Sequence, residues 1–192
     1  MPCVVAGSCY PDINLPSVDY DHRAVARHAA SLLLARGHRR MAMLIQTPEL
    51  AGDFESEAGF AAAFETREAR DATVVVARHD GRLPVIRRQL DRLLRMQPAP
   101  TGFFVLRAVS ALAVASELTR RGHRLPTDLA VISRDSDLFL NYFSPELARY
   151  EHDLDLFARR LAGMVIKLAK EGAVPQRQVR LMPKFIKGET VG

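Results

Sequence analysis

The sequence predicts an α/β fold built on a doubly wound parallel sheet. Segments typical of strands and of helices alternate four times in succession before Ser133. The strand segments are continuous apolar runs of four to six residues, which is typical of strands covered by helices on both faces. The helical segments carry their apolar residues on one face, so each can pack against such a sheet. The crossovers between parallel strands are expected to be right-handed.

The first unit of this alternation lies at the N-terminus. The apolar run at residues 3–6 predicts a strand, and a loop with Pro11 and Pro16 follows it. A helix is predicted to begin after Asp21, because a carboxylate there can accept a hydrogen bond from the first turn. Gly37 is predicted to end this helix, since glycine is favoured just beyond a helix C-terminus.

Three further units follow the first helix. Phe60 and Phe64 are one helical turn apart, Pro84 is suited to the first turn of a helix, and Gly122 ends a helix. Strands are predicted over 41–45, 73–77, 102–106 and 129–133, and the helix between the last two of these strands over 109–121.

The pattern changes after Ser133. A loop over 134–146 leads to a short strand over 147–150, and an extended segment over 179–186 ends the chain. Between them, an amphipathic helix is predicted from about Asp153, with the apolar stripe Leu154, Phe157, Leu161, Met164, Val165 and Leu168.

Composition and motifs exclude several classes of protein. The 192 residues are 48% hydrophobic and 26% charged, with a net charge of +5, which indicates a globular chain without a basic tail for nucleic acid. Cys3 and Cys9 form no disulfide framework, no apolar run approaches the ~20 residues of a membrane span, and no signal peptide is evident. We therefore expect a cytoplasmic protein with no membrane association.

Catalytic and cofactor motifs are not found in the sequence. It has no nucleophile elbow, no glycine-rich phosphate loop and no His-Glu-x-x-His motif, and its six histidines lack metal-ligand spacing. We expect that the protein is not an enzyme and that it binds no cofactor and no metal. The arginines on the third helix, Arg87, Arg88, Arg92 and Arg95, are interpreted as solvated helix surface.

Five short motifs in collinear order resemble the LacI/GalR family of bacterial transcription regulators. They are residues 34–42 (LARGHRRMA), 58–60 (AGF), 100–104 (PTGFF), 121–132 (RGHRLPTDLAVI) and 143–147 (FSPEL). The resemblance implies a fold similar to type I periplasmic binding proteins, represented mainly by its C-terminal subdomain. It also implies a homodimer whose small-molecule effector lies in a cleft between two subdomains.

The resemblance also divides the chain. Residues 1–20 are expected to be a remnant of the N-terminal subdomain, 21–146 the C-terminal subdomain, and 147–192 a crossover strand, helix and terminal segment that return to the N-terminal subdomain. DNA would be bound only through an N-terminal head that these residues lack. A stand-alone sugar-binding protein of the periplasmic type is the alternative. The stripe of the helix after Asp153 would lack its usual partner sheet, so self-association, packing on the terminal strands or partial exposure is expected.

Candidate ligand-binding residues follow from the carboxyl ends of the strands, where open α/β sheets bind ligands. Asp21 is either a helix cap or a ligand contact, and Ser56 stands where family members commonly have arginine. Arg107 replaces part of an Asn-Asp pair, and Arg134 precedes Asp135, which matches a family aspartate. Because arginine binds carboxylate and phosphate bidentately, an anionic or otherwise unusual effector is expected. Loss of effector binding and an ordinary neutral sugar remain alternatives.

Leu112 and Phe143 are candidates for the dimer interface. Both fall where the family's second subdomain forms its dimer seam. Ordinary core packing is the alternative for each.

Overall fold

The computed structural model describes residues 3–66, 69–172, 174 and 177–192, and it shows two sheets with five α-helices in the described part. The strands are β1 Val5–Ala6, β2 Ser17–Tyr20, β3 Arg40–Gln46, β4 Thr73–His79, β5 Gly102–Val105, β6 Ala130–Ser133, β7 Ala148–Glu151, β8 Gln178–Leu181 and β9 Lys184–Ile186. The helices are α1 His22–Ala35, α2 Ala51–Ala62, α3 Leu83–Leu94, α4 Ala108–Arg120 and α5 Leu154–Glu171.

The larger sheet has six strands in the order β4-β3-β5-β6-β7-β9, and all of its neighbours are parallel except β7 and β9. One face packs on α1 and α2, where Leu33 and Phe60 meet Met41 and Phe104. The opposite face packs on α3 and α4 through a second core. The predicted doubly wound sheet is confirmed, because its apolar strands are covered on both sides.

The first helix begins and ends where the sequence predicts. The Asp21 side chain accepts a hydrogen bond from the Ala24 N–H at 2.8 Å, and Gly37 adopts φ +87° just beyond the helix. Helix α2 packs closely on α1 at Gly59, where a Cβ atom would collide with the backbone carbonyl of Arg23. Only glycine allows this approach.

The smaller sheet has three parallel strands in the order β1-β2-β8. Its core joins Val18, Tyr20 and Leu181 to Met164 of α5. Strand β2 was not predicted, since its four residues include Asp19 and follow a loop with two prolines. The expectation that α5 lacks a partner sheet is corrected in part: α5 packs on this sheet, one of the alternatives, while Leu154, Val165 and Ile166 stay exposed.

The C-terminal segment contributes to both sheets. The segment expected to be extended over 179–186 is two strands, because β8 pairs with β2 and β9 pairs with β7. In the part of the chain from residue 147 onward, β8 is a strand of the smaller sheet and α5 packs on that sheet, whereas β7 and β9 are strands of the larger sheet. Thr190 ties the chain end to the larger sheet by accepting from the Ala148 N–H and donating to the Val131 carbonyl.

Candidate functional site

A cleft of about 330 Å³ opens between the two sheets. The smaller sheet contributes strand β1, the loop after it and the end of β2, and the larger sheet contributes the start of α2 and the ends of β5 and β6. The cleft therefore lies beyond the carboxyl ends of parallel strands, where α/β folds commonly bind ligands. Its lining residues are Val5, Ala6, Gly7, Ser8, Tyr10, Asp19, His22, Leu50, Ala51, Gly52, Asp53, Arg107 and Arg134.

Two arginines and two aspartates form a closed network on the larger-sheet side. Arg134 donates to Asp53 at 2.7 Å and to Asp135 at 2.8 Å, and its side chain is only 4% exposed. Arg107 donates to the other oxygen of Asp53 at 2.7 Å and lies 3.7 Å from Asp135. We call Asp53, Arg107, Arg134 and Asp135 the charge quartet, because each arginine contacts both carboxylates.

Asp53 is the centre of this quartet and was not predicted as a site residue. It lies in the first turn of α2 and accepts a hydrogen bond from the Leu50 N–H at 2.9 Å, so it also caps that helix. Burial raises the pKa of the Asp53 carboxyl, but the Leu50 N–H and the two guanidiniums outweigh this effect and lower the pKa overall. Asp53 is therefore ionised where it contacts the arginines.

Asp19 anchors the opposite wall of the cleft. Its carboxylate accepts from the Ser8 hydroxyl at 2.6 Å and from the Tyr20 N–H at 2.8 Å, and it lies 3.3 Å from His22 Nε2. Burial raises the pKa of Asp19, but its bonds to His22, Ser8 and Tyr20 prevail and bring the pKa to about 2. Arg180 donates to the Ser8 hydroxyl at 2.8 Å and so holds this loop against β8.

The two walls meet at several contacts. His22, at the start of α1 on the larger-sheet side, lies 3.3 Å from Asp19 of β2, and its ring packs where a Cβ atom of Gly52 would be. Tyr10, in the loop after β1, donates to the Glu49 carbonyl at 3.2 Å and approaches Phe54 with ring centroids 6.2 Å apart. A change in the distance between the sheets would alter these contacts.

The structure separates the predicted site residues into two groups. Arg107 and Arg134 line the cleft, and Asp135 lies behind them as a partner of both. Ser56 is fully buried outside the cleft wall, where it donates to the Gly52 carbonyl and accepts from Arg134. Asp21 caps α1 and is not among the lining residues.

The structure gives both predicted arginines carboxylate partners. Asp53 and Asp135 each contact Arg107 and Arg134, so the positive charge that suggested an anionic effector is paired within the cleft wall. With Asp19 on the facing wall, the carboxylates that line the cleft equal the guanidiniums in number. The residues missed from the sequence, Asp19 and Asp53, lie in a short strand and a helix start, where an isolated aspartate usually indicates a turn or a cap.

Neither a metal site nor a membrane span is found in the part of the chain that the structure describes. No group of three or more His, Cys, Asp or Glu residues there is placed to hold a metal ion. No helix within the described ranges combines the length and hydrophobicity needed to cross a bilayer.

The sheet order and the cleft define an α/β domain of the periplasmic binding protein type. The sequence model for the periplasmic binding protein-like domain matches residues 30–191, and the chain belongs to that family. The resemblance to LacI/GalR regulators is confirmed by its relatives.

Three relatives illustrate this similarity. The HTH-type transcriptional repressor CytR of Escherichia coli K12 is 26% identical over 155 residues, which cover 78% of this chain and 46% of the repressor. A LacI-family regulatory protein from Chloroflexus aggregans superposes with a TM-score of 0.87 at 25% identity, over 98% of this chain and 68% of that one. A LacI-family regulator from Enterococcus faecium with bound ribose superposes with a TM-score of 0.82 at 18% identity, over 98% of this chain and 70% of that one. The chain spans about half the length of the curated relatives it matches.

Proposed function

We propose that this chain is the effector-sensing region of a LacI-type transcription regulator. The cleft carries the proposal, because polar side chains from both sheets line it and a ligand bound there would contact both sheets. A ligand that contacts both walls stabilises one relative position of the sheets over others, which is the requirement for an allosteric signal. DNA binding would reside in a head outside these residues, and the signal would reach it through the protein's own dimer.

The effector that fits this cleft best is a neutral, hydroxyl-rich molecule. Two carboxylates, Asp19 and Asp53, and two guanidiniums, Arg107 and Arg134, line the cleft, so an anion would meet no excess of positive charge there. Charged groups that are already paired can still exchange hydrogen bonds with ligand hydroxyls, and such bonds are stronger than bonds between neutral groups. The ribose in the Enterococcus faecium neighbour is a molecule of this chemistry.

A thermal-shift and calorimetric screen tests the ligand class. Neutral pentoses, hexoses and nucleosides are compared with their phosphorylated counterparts on the full chain. We expect a neutral member to stabilise the protein by about 2.7 kcal/mol at 100 times its Kd. Asp19→Asn should reduce this stabilisation, whereas Asp71→Asn, at an exposed ion pair, should leave it unchanged. Stabilisation by phosphorylated members alone would contradict the proposed class.

Self-association is the second part of the proposal. Val109 at the start of α4 is 59% exposed, and Leu138 and Tyr142 in the turn after β6 are 79% and 90% exposed. Leu112 and Phe143, the two predicted interface residues, are partly buried against the α3–α4 core. Strands β5 and β6 are parallel neighbours, so α4 and this turn both begin at the carboxyl ends of adjacent strands. Their apolar side chains can therefore form one interface.

Light scattering coupled to gel filtration tests the interface. The Leu138→Ser, Tyr142→Ser double variant should shift the protein from dimer to monomer at micromolar concentration. Leu154→Ser and Val165→Ser on α5 remove comparable exposed apolar surface elsewhere and should leave the dimer intact. A monomeric wild-type chain, or dissociation only by the α5 pair, would contradict this interface.

A further inference from the structure

Helices α3 and α4, with the residues that cap their C-termini, carry a local excess of positive charge. Among the charged residues of α3 and α4 with the residues that cap their C-termini, there are six arginines and two carboxylates, Asp91 and Glu117, a net charge of +4. The whole chain carries +5. We call this surface the arginine face.

Half of the arginines on this face have partners within it. Glu117 accepts from Arg87 at 2.8 Å and from Arg120 at 2.7 Å, and Asp91 accepts from Arg121 at 2.6 Å. The hydrogen bonds from Arg120 and Arg87 hold the pKa of Glu117 at about 2. Both carboxylates thus form their hydrogen bonds with Arg87, Arg120 and Arg121 rather than with the remaining arginines.

Arg88, Arg92 and Arg95 form an exposed row, and none has a carboxylate partner among the residues that the structure describes. Their spacing of four and three residues places them along one side of α3, about 6 and about 4.5 Å apart along the helix axis. They border a depression of about 460 Å³ together with Asp91 and Met96.

Fold stability does not account for this row. Like charges four residues apart destabilise a helix by about 0.2–0.5 kcal/mol for each pair. The helix dipole offsets this cost for Arg92 and Arg95 in the last turn, but its effect does not extend to Arg88. A bound anionic partner would remove the repulsion at all three positions.

We propose that the arginine face binds an acidic helical segment of a partner protein, with Arg88, Arg92 and Arg95 pairing with carboxylates of the same helical spacing. Guanidinium groups pair bidentately with carboxylates, and a second helix repeats Asp or Glu at the same axial intervals. Asp91 lies within the depression and would repel a continuous phosphate backbone, whereas separate acidic side chains can avoid it. The observations therefore favour a protein partner over nucleic acid.

A designed peptide provides the probe. It is an alanine-rich helix with glutamate at positions 1, 5 and 8, and its matched control carries glutamine at these positions. Binding to the full chain is measured by fluorescence anisotropy at low and moderate salt. The test variant is Arg88→Gln, Arg92→Gln, Arg95→Gln, and circular dichroism checks its fold.

The matched control variant is Arg159→Gln, Arg160→Gln, Lys167→Gln. It removes the same charge from another basic depression, on α5. We expect the glutamate peptide to lose about tenfold in affinity with the arginine variant, since three exposed ion pairs contribute modestly, and to be unaffected by the control variant. The glutamine peptide should bind more weakly.

Four outcomes would overturn the proposal. The first is equal loss of affinity in the two variants, and the second is equal binding of the two peptides. The third is no saturable binding of the glutamate peptide. The last is tighter binding of a short DNA duplex that depends on the same three arginines, which would make the face a nucleic-acid surface. None of these depends on the ligand of the cleft.

Discussion

Replacing Asp53 with alanine should destabilise the protein strongly, because Arg134 would lose a buried charge partner. The Asp53 side chain is 1% exposed and that of Arg134 is 4% exposed, and Asp53 Oδ1 lies 2.7 Å from Arg134 Nη1. Removing one member of such a pair costs about 3–5 kcal/mol, since the other charge stays buried. Asp135 remains 2.8 Å from Arg134, so we expect the lower end, about 3 kcal/mol.

Urea denaturation of the full chain measures this loss. A cost of about 3 kcal/mol corresponds to a fall in Tm of roughly 6–12 °C for a chain of this size. Asp71→Ala is the control: its ion pair with Arg39 is largely exposed, so the change in the unfolding free energy should stay within about 0.5 kcal/mol.

A double variant separates the charge from the lost packing. Combining Asp53→Ala with Arg134→Met removes both charges, so the total cost should be clearly less than the sum of the two single costs. If Asp53→Ala cost less than about 1 kcal/mol, or if the two costs simply added, the quartet would not hold the cleft wall as described.

Two further predictions concern packing and pH. Gly59→Ala should destabilise by about 2 kcal/mol or more, because the added methyl would meet the Arg23 carbonyl, whereas Gly163→Ala, with open space around it, should be neutral or stabilising. Unchanged stability of Gly59→Ala by urea denaturation would contradict the close approach of α1 and α2. Burial lowers the pKa of four histidines below 6.5, so the unfolded chain binds protons first and the unfolding free energy should fall as pH drops below about 6.5. A constant Tm between pH 7.5 and 5 would contradict the lowered pKa values of these residues, which are His28, His38, His79 and His152.

Local patterns in the sequence predict most of the fold. The continuous apolar runs of the strands and the amphipathic patterns of the helices indicate burial from local sequence alone. Strands β3 to β6 and helices α1 to α4 were therefore located correctly. Strand β2 was missed because its burial depends on α5 and β8, more than 130 residues further along the chain. A four-residue segment with a central aspartate carries no periodic signal of its own.

The candidate site was less predictable, since its chemistry arises from pairs of distant residues. The ends of β5 and β6 indicated Arg107 and Arg134 as candidates, and the structure places both on the cleft wall. Their partner Asp53 lies 81 residues before Arg134, in the first turn of a helix, where an acidic residue is expected for capping alone. The sequence therefore showed two cations near the cleft, and only the fold shows that they are neutralised.

This neutralisation changes how the cleft can discriminate between ligands. Free guanidiniums would select by charge, and such attraction weakens with salt. Paired guanidiniums are fixed in direction by their carboxylates, so a ligand must match the positions of the remaining donors and acceptors. The same pairs span α2, the end of β5 and the end of β6, which makes that wall rigid. A ligand would then move mainly the facing wall, which is formed by Asp19 of the smaller sheet and by Tyr10 in the loop between β1 and β2.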